Sequence, residues 1–204
     1  MGLDFGFDFR STAIFVTDPT YAAPVLAETF PTTYTNGLGQ TMQAGWVSGG
    51  GNGTVTGLNR NTVDPRLSGI NFISNTATPS FITFQVTLPA FGPWSITTAF
   101  GDTSGAQNQY VVLADNAVAF LTYTNIATAL DSFMDTNGTV FTRPNWITSN
   151  VPFVKLFSSA TFTIQLGPNA PTGTNASTIA HLRLTNLGVA ETFPFPTQGP
   201  TWRI

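Results

Sequence analysis

Apolar residues recur at every second position through most of this chain. Phe84, Val86 and Leu88 alternate with Gln85 and Thr87. Trp94, Ile96, Thr98 and Phe100 alternate in the next run, and Phe162, Ile164 and Leu166 alternate with Thr161, Thr163 and Gln165. Ala180, Leu182 and Leu184 alternate with His181, Arg183 and Thr185. A period of two is the mark of half-buried strands with one apolar and one polar face. Residues 110–113 and 117–123 read as two further strands joined by the turn-like Ala114-Asp115-Asn116. Residues 139–142 and 154–157 are weaker strand candidates. Many short strands separated by Gly, Pro and Asn turns predict an all-β fold, a β-sandwich of the jelly-roll kind. One window departs from the pattern. Ile126, Ala129, Leu130, Phe133 and Met134 sit at helical spacing, which predicts a short helix over 126–134.

Composition narrows the function. Charged residues make up 8% of the 204 residues, and the net charge is −3, against roughly 25% charged in ordinary soluble domains. Lys155 is the single lysine. Phosphate recognition needs clustered cations, so a nucleic-acid-binding face is excluded. Apolar residues at 42% and aromatics at 13% are enough for a sizeable core. Cysteine is absent, which excludes a disulfide framework and Cys-ligated zinc. No apolar run approaches the ~20 residues of a membrane-spanning helix. The start of the sequence carries no secretory signal pattern.

The tail divides from the rest. Residues 1–188 read as the sandwich domain and 189–204 as an extended arm holding Pro194, Pro196 and Pro200 with Phe193, Phe195 and Trp202. Three prolines exclude a helix and a central strand. The aromatics need cover from water, supplied by a neighbouring molecule or by the chain's own sandwich.

Catalytic constellations do not assemble. Gly101-Asp102-Thr103-Ser104 has the look of a hydrolase nucleophile element, but His181 is the only histidine and Thr178 stands where an orienting aspartate is needed. A serine without its base is not activated. Glu28 and Glu191 are the only glutamates, and neither is tied to an aspartate as glycoside hydrolysis requires. No enzyme and no cofactor are expected. A structural Ca²⁺ held by Asp4 and Asp8 is the one metal possibility.

The order Phe7-Asp8-Phe9, Tyr21, Gly45-Trp46, Asn59-Arg60-Asn61 and Asp64-Pro65-Arg66-Leu67 resembles the galactose-binding-like jelly rolls beside rhamnogalacturonan esterases and lyases, with malectin-like modules as cousins. The likeness continues through Phe84 to Pro89, Trp94-Ser95-Ile96, Gly101-Asp102 and the closing strands, spanning roughly residues 5 to 187. Arg10 departs from it, standing where the family has glycine. The resemblance implies a carbohydrate-binding sandwich. Amide and guanidinium groups suit sugar hydroxyls, and an aromatic ring suits the sugar's C–H face. Trp46, Asn59, Arg60, Asp64 and Arg66 are therefore the candidate sugar site, with Tyr21 and Tyr34 as further platforms. The same cluster also reads as an Arg–Asp network pinning a long loop.

Two functions follow. The first is a structural protein of a virion, such as a phage capsid decoration, head-fibre or tail component. It would be assembled in the host cytoplasm as a homo-oligomer with other virion proteins, with Phe193, Phe195 and Trp202 as its assembly arm. A neutral polar surface would let it pack densely without like-charge repulsion. The second is a stand-alone module recognising a plant or bacterial polysaccharide.

Overall fold

A computed structural model describes residues 2–11, 19–21, 25, 28–47, 53–60, 64–73, 80–167 and 177–188. The arm call at Phe193, Phe195 and Trp202 lies outside these residues. In chain order the strands are β1 (Asp4–Asp8), β2 (Thr32–Thr35), β3 (Thr41–Trp46), β4 (Val55–Asn59), β5 (Gly69–Ile73), β6 (Ile82–Thr87), β7 (Gly92–Asp102) and β8 (Gln107–Asp115). They continue with β9 (Val118–Thr128), β10 (Ser132–Met134), β11 (Val140–Thr142), β12 (Phe153–Phe157), β13 (Thr161–Leu166), β14 (Thr178–Ile179) and β15 (His181–Asn186). One helix, α1 (Arg143–Ser149), and a 3₁₀ turn, Pro65–Leu67, complete the described elements.

Two six-stranded antiparallel sheets face each other. The first runs β1-β15-β7-β10-β11, with β12 beside the first half of β7. The second runs β2-β3-β6-β13-β8-β9. A small third sheet runs β14-β5-β4. The protein is an all-β jelly-roll sandwich with one short helix among the described residues.

Alternation places the core. Phe5 and Phe7 of β1, with Phe9 just beyond it, point inward beside Trp94, Ile96, Leu182 and Leu184 of the first sheet. Phe84, Val86, Phe162 and Ile164 come from the second. The rings meet edge to face, as the ring quadrupole favours: Phe9 and Phe84 are 5.0 Å apart at 75°, and Phe7 and Tyr34 5.6 Å at 87°. Each fully buried ring contributes about 2–3 kcal/mol of transfer free energy.

The helix expected over 126–134 does not form. Ile126 to Thr128 finish β9, paired with Gln109 and Gln107, and residues 132–134 form β10 against β7. Asn125 and Asp131 take left-handed backbone angles of φ 57°. These break the strand phase and reverse the chain, and the interrupted alternation imitates a helical period. Leu130 is 60% exposed, so the apparent stripe has no common face. The helix lies further on instead. Pro144 starts α1 at its first turn, where a missing N–H costs nothing, and Trp146 is its buried residue. It covers the outward face of the first sheet, making a second core with Leu67, Ile70, Ala99, Phe133 and Ala180.

Candidate functional site

The five residues expected to bind sugar point to four places. Trp46 is 3% exposed; its ring packs against Phe9 and Phe84, and its Nε1 donates to Asn71 Oδ1 at 3.1 Å. It is part of the inter-sheet core and offers no face to a ligand. Tyr34 and Tyr21 are buried likewise. Asn59 is exposed at the end of β4 and accepts from the Ser11 N–H. Arg60 reaches across to β7 and forms a two-pronged pair with Asp102, both contacts 2.6 Å. Asp102 also accepts from the Ser104 N–H, so the Gly101–Ser104 element is a pinned turn. Asp64 caps the 3₁₀ turn and holds Arg66 through contacts of 3.0 and 2.7 Å. Asp4 and Asp8 share one strand face, four residues apart, which is ~13 Å along a strand. Each carboxylate is taken by an arginine, Arg183 and Arg10 respectively, so they do not converge on a cation.

The charges build a support beneath the 3₁₀ turn. Arg10, 1% exposed, lies between Asp8 and the Pro65 carbonyl and donates to both. Glycine is required around it: a Cβ on Gly57 would stand 2.4 Å from the Arg10 carbonyl oxygen, and one on Gly69 2.5 Å from that of Phe9. Tyr21 lies flat over Gly6 and its hydroxyl meets His181 Nδ1 at 3.2 Å. Trp146 meets the same imidazole edge to face at 5.4 Å, and the Arg66 guanidinium stacks 5.7 Å over the Trp146 ring. Burial keeps His181 neutral, pushing it down to about 3, with Arg66 and Arg183 adding to the effect. Burial raises the Asp8 carboxyl to about 8 against the opposing pull of Arg10. Among the described residues no carboxylate is hydrogen-bonded to this neutral, enclosed imidazole.

These shifts predict a pH profile. His181, with its pKa lowered from 6.5, contributes stability that is present above pH 6.5 and lost as pH falls through about 3. Asp8, raised from 3.8, contributes stability that is present below pH 3.8 and lost as pH rises through about 8. The two oppose each other in between, so above pH 6.5 the Asp8 loss stands alone. Denaturant melts should show stability falling from pH 6.5 to 8, by at most ~1.4 kcal/mol per pH unit. Asp8→Asn should flatten that limb. A limb unchanged by the substitution would assign the loss to another group.

Every described lysine and arginine is ion-paired: Arg10, Arg60, Arg66, Arg143, Lys155 and Arg183 all have carboxylate partners. No such pairing marks the outward face of the second sheet. There the outward positions of β2, β3, β6 and β13 hold only threonine, glutamine and one glycine. Register lays them in rows: Gln43 beside Thr87 beside Thr161, and Gln85 beside Thr163. Gln165 lies between Thr83 and Val112 of the flanking strand β8. Tyr110, half-buried, belongs to the same face of β8. This is a broad uncharged surface of amides and hydroxyls with an aromatic ring at its side. The sequence showed these polar residues, but they served there only to locate the strands.

No family model and no curated protein matches the chain. Among solved structures it is similar to protein YxiM from Bacillus subtilis (15% identity, TM-score 0.48), covering 90% of this chain and 40% of that one. It is also similar to a carbohydrate-binding module of family 35 from Paenibacillus barcinonensis (16%, TM-score 0.37; 71% of this chain, 98% of that one). A family 35 module from Clostridium thermocellum gives 12% and 0.33, covering 64% and 90%. The chain thus spans less than half of YxiM. None of the three exceeds 16% identity or a TM-score of 0.48, a distance at which no ligand is transferred. Neither a malectin nor a virion protein is among them.

Proposed function

We propose that the chain is a non-catalytic module that binds neutral carbohydrate on the outward face of its second sheet. The observation that supports this reading is the Thr/Gln surface of β2, β3, β6 and β13. A glutamine amide donates and accepts at once, as a sugar hydroxyl does. A surface without ions holds its water less tightly than one of lysines and glutamates, so covering it costs less. Tyr110 supplies the flat apolar ring that a sugar's C–H face needs. The described cations are all occupied by carboxylates, which favours a neutral ligand over an acidic one. A virion role draws no support from these features.

Affinity electrophoresis against a panel of neutral polysaccharides tests the reading. Binding should be weak, with a Kd of roughly micromolar to millimolar for a shallow polar face, and insensitive to salt because no charge pairs form. Tyr110→Ala and the double substitution Gln85→Ala with Gln165→Ala should each weaken it about tenfold or more, a loss of about 1.4 kcal/mol. No retention of the wild-type chain by any neutral glycan would end the proposal.

A further inference from the structure

Register carries one outward row across four strands of the second sheet. Gln165 of β13 is the partner of Thr83 on β6 and of Val112 on β8, and Val112 is the partner of Thr122 on β9. All four residues share the outward face, because Ile82, Ile164 and Val111 beside them on their strands are core residues and Leu121 packs against that core. Thr83, Gln165 and Val112 are half-buried, and Thr122 is exposed. The next row, Gln85, Thr163 and Ala114, shrinks to a methyl group on β8. Tyr110 belongs to the other flank, two residues from Val112 along β8. The row is thus a shallow track of hydroxyl, amide, apolar side chain and hydroxyl, with a low floor on one side and an aromatic ring on the other. None of its members carries a charge, which suits a neutral ligand.

We propose that this track binds a single, extended, neutral β-1,4-linked glycan lying across the strands, with one sugar residue over each of β6, β13, β8 and β9. The proposal rests on the carbohydrate reading above and narrows it to a linkage, a direction and a length. Neighbouring strands are ~4.8 Å apart, close to the length of one pyranose residue from one bridging oxygen to the next. A sugar chain along the row therefore brings one residue over each strand, provided that its junctions keep it extended. A β-1,4 linkage does so, because both of its bonds are equatorial. An α-1,4 linkage has one axial bond and turns the chain off the row. The sheet imposes a second restriction. Its outward normal turns about the row by ~20–25° from strand to strand. Rotation about each glycosidic bond lets a single chain follow that twist, whereas a flat crystal facet of packed chains touches one or two strands and lifts off the rest.

Titration calorimetry of the full chain with cello-oligosaccharides of two to six residues, and with maltohexaose, tests this. Affinity should climb with each added residue and level off at four, with cellotetraose on the order of tenfold tighter than cellobiose. Maltohexaose should bind about tenfold more weakly than cellohexaose, or worse. Amorphous cellulose should retain the protein and crystalline cellulose should not. Thr122→Ala should erase the fourth step, so that cellotetraose binds no tighter than cellotriose. Thr161→Ala, on β13 but outside the row, should leave the whole series unchanged. A flat length series, equal binding of maltohexaose and cellohexaose, or equal losses from the two substitutions would overturn the track and leave the neutral-carbohydrate reading standing. Failure of every neutral glycan to bind would end both.

Discussion

Trp46→Ala is expected to lower stability by about 3–5 kcal/mol, the usual cost of emptying a buried tryptophan site. The ring is enclosed by Phe9 and Phe84, with centroids at 6.1 and 5.2 Å. Its loss leaves a cavity between the sheets that neither ring fills without moving. It also removes the donor to Asn71, whose amide still donates to the Arg10 carbonyl. A buried oxygen without its partner adds to the penalty. Urea unfolding should show a lower midpoint at an unchanged slope. Glycan binding at temperatures where the variant remains folded should persist, because the ring is on the opposite side of the second sheet from the Thr/Gln surface. A stable variant that no longer binds glycan would return Trp46 to the role its sequence context implied.

Arg10→Met should cost a similar amount, about 3–5 kcal/mol, by a different route. Above about pH 8, where Asp8 is ionised, the substitution takes away its counter-charge, and removing one member of a buried pair is far worse than removing both. Asp8 Oδ1 already lacks a hydrogen-bond partner, so the arginine is the carboxyl group's main compensation. The 3₁₀ turn also loses its tether, since Arg10 donates to the Pro65 carbonyl. Adding Asp8→Asn to Arg10→Met should recover part of the loss, and a double-mutant cycle reads the coupling directly. Additive losses would show that the two side chains act independently.

Much of the fold was legible because alternation survives where both sheets bury one face. Strands β6, β7, β13 and β15 fall where Phe84, Trp94, Phe162 and Leu182 set the phase. The segment 126–134 misled because its phase breaks occur at Asn125 and Asp131, whose left-handed angles leave no unique mark in a chain rich in Asn and Asp. Helix α1 was hidden for the opposite reason: Trp146 is its one fully buried residue, too few for a periodic signal.

The candidate site was harder to read, since charge partners are set by topology and not by spacing. Asp64 and Arg66 were grouped with Arg60 by proximity in sequence, yet Arg60 turns to Asp102, 42 residues on. Asp4 finds Arg183 from the other end of the domain, 179 residues away. His181, placed by alternation on the polar face of its strand, is 1% exposed, because the 3₁₀ turn, Tyr21 and Trp146 cover that side of the sheet. The Thr/Gln surface was visible as a set of letters, but its extent depends on which strands lie beside one another.

Lys155 leans over the rings of Phe120 and Phe157, at 5.4 and 5.8 Å, and its amine approaches Asp115 at 3.7 Å. As the sole lysine of the chain, it is also the sole side-chain target for an amine-acylating reagent and the only place where a lysine-directed protease can cut. That scissile bond lies inside a paired strand at the seam of the sandwich. Digestion at this position therefore reports on seam opening, and a dye attached there reads the same motion without any engineered cysteine.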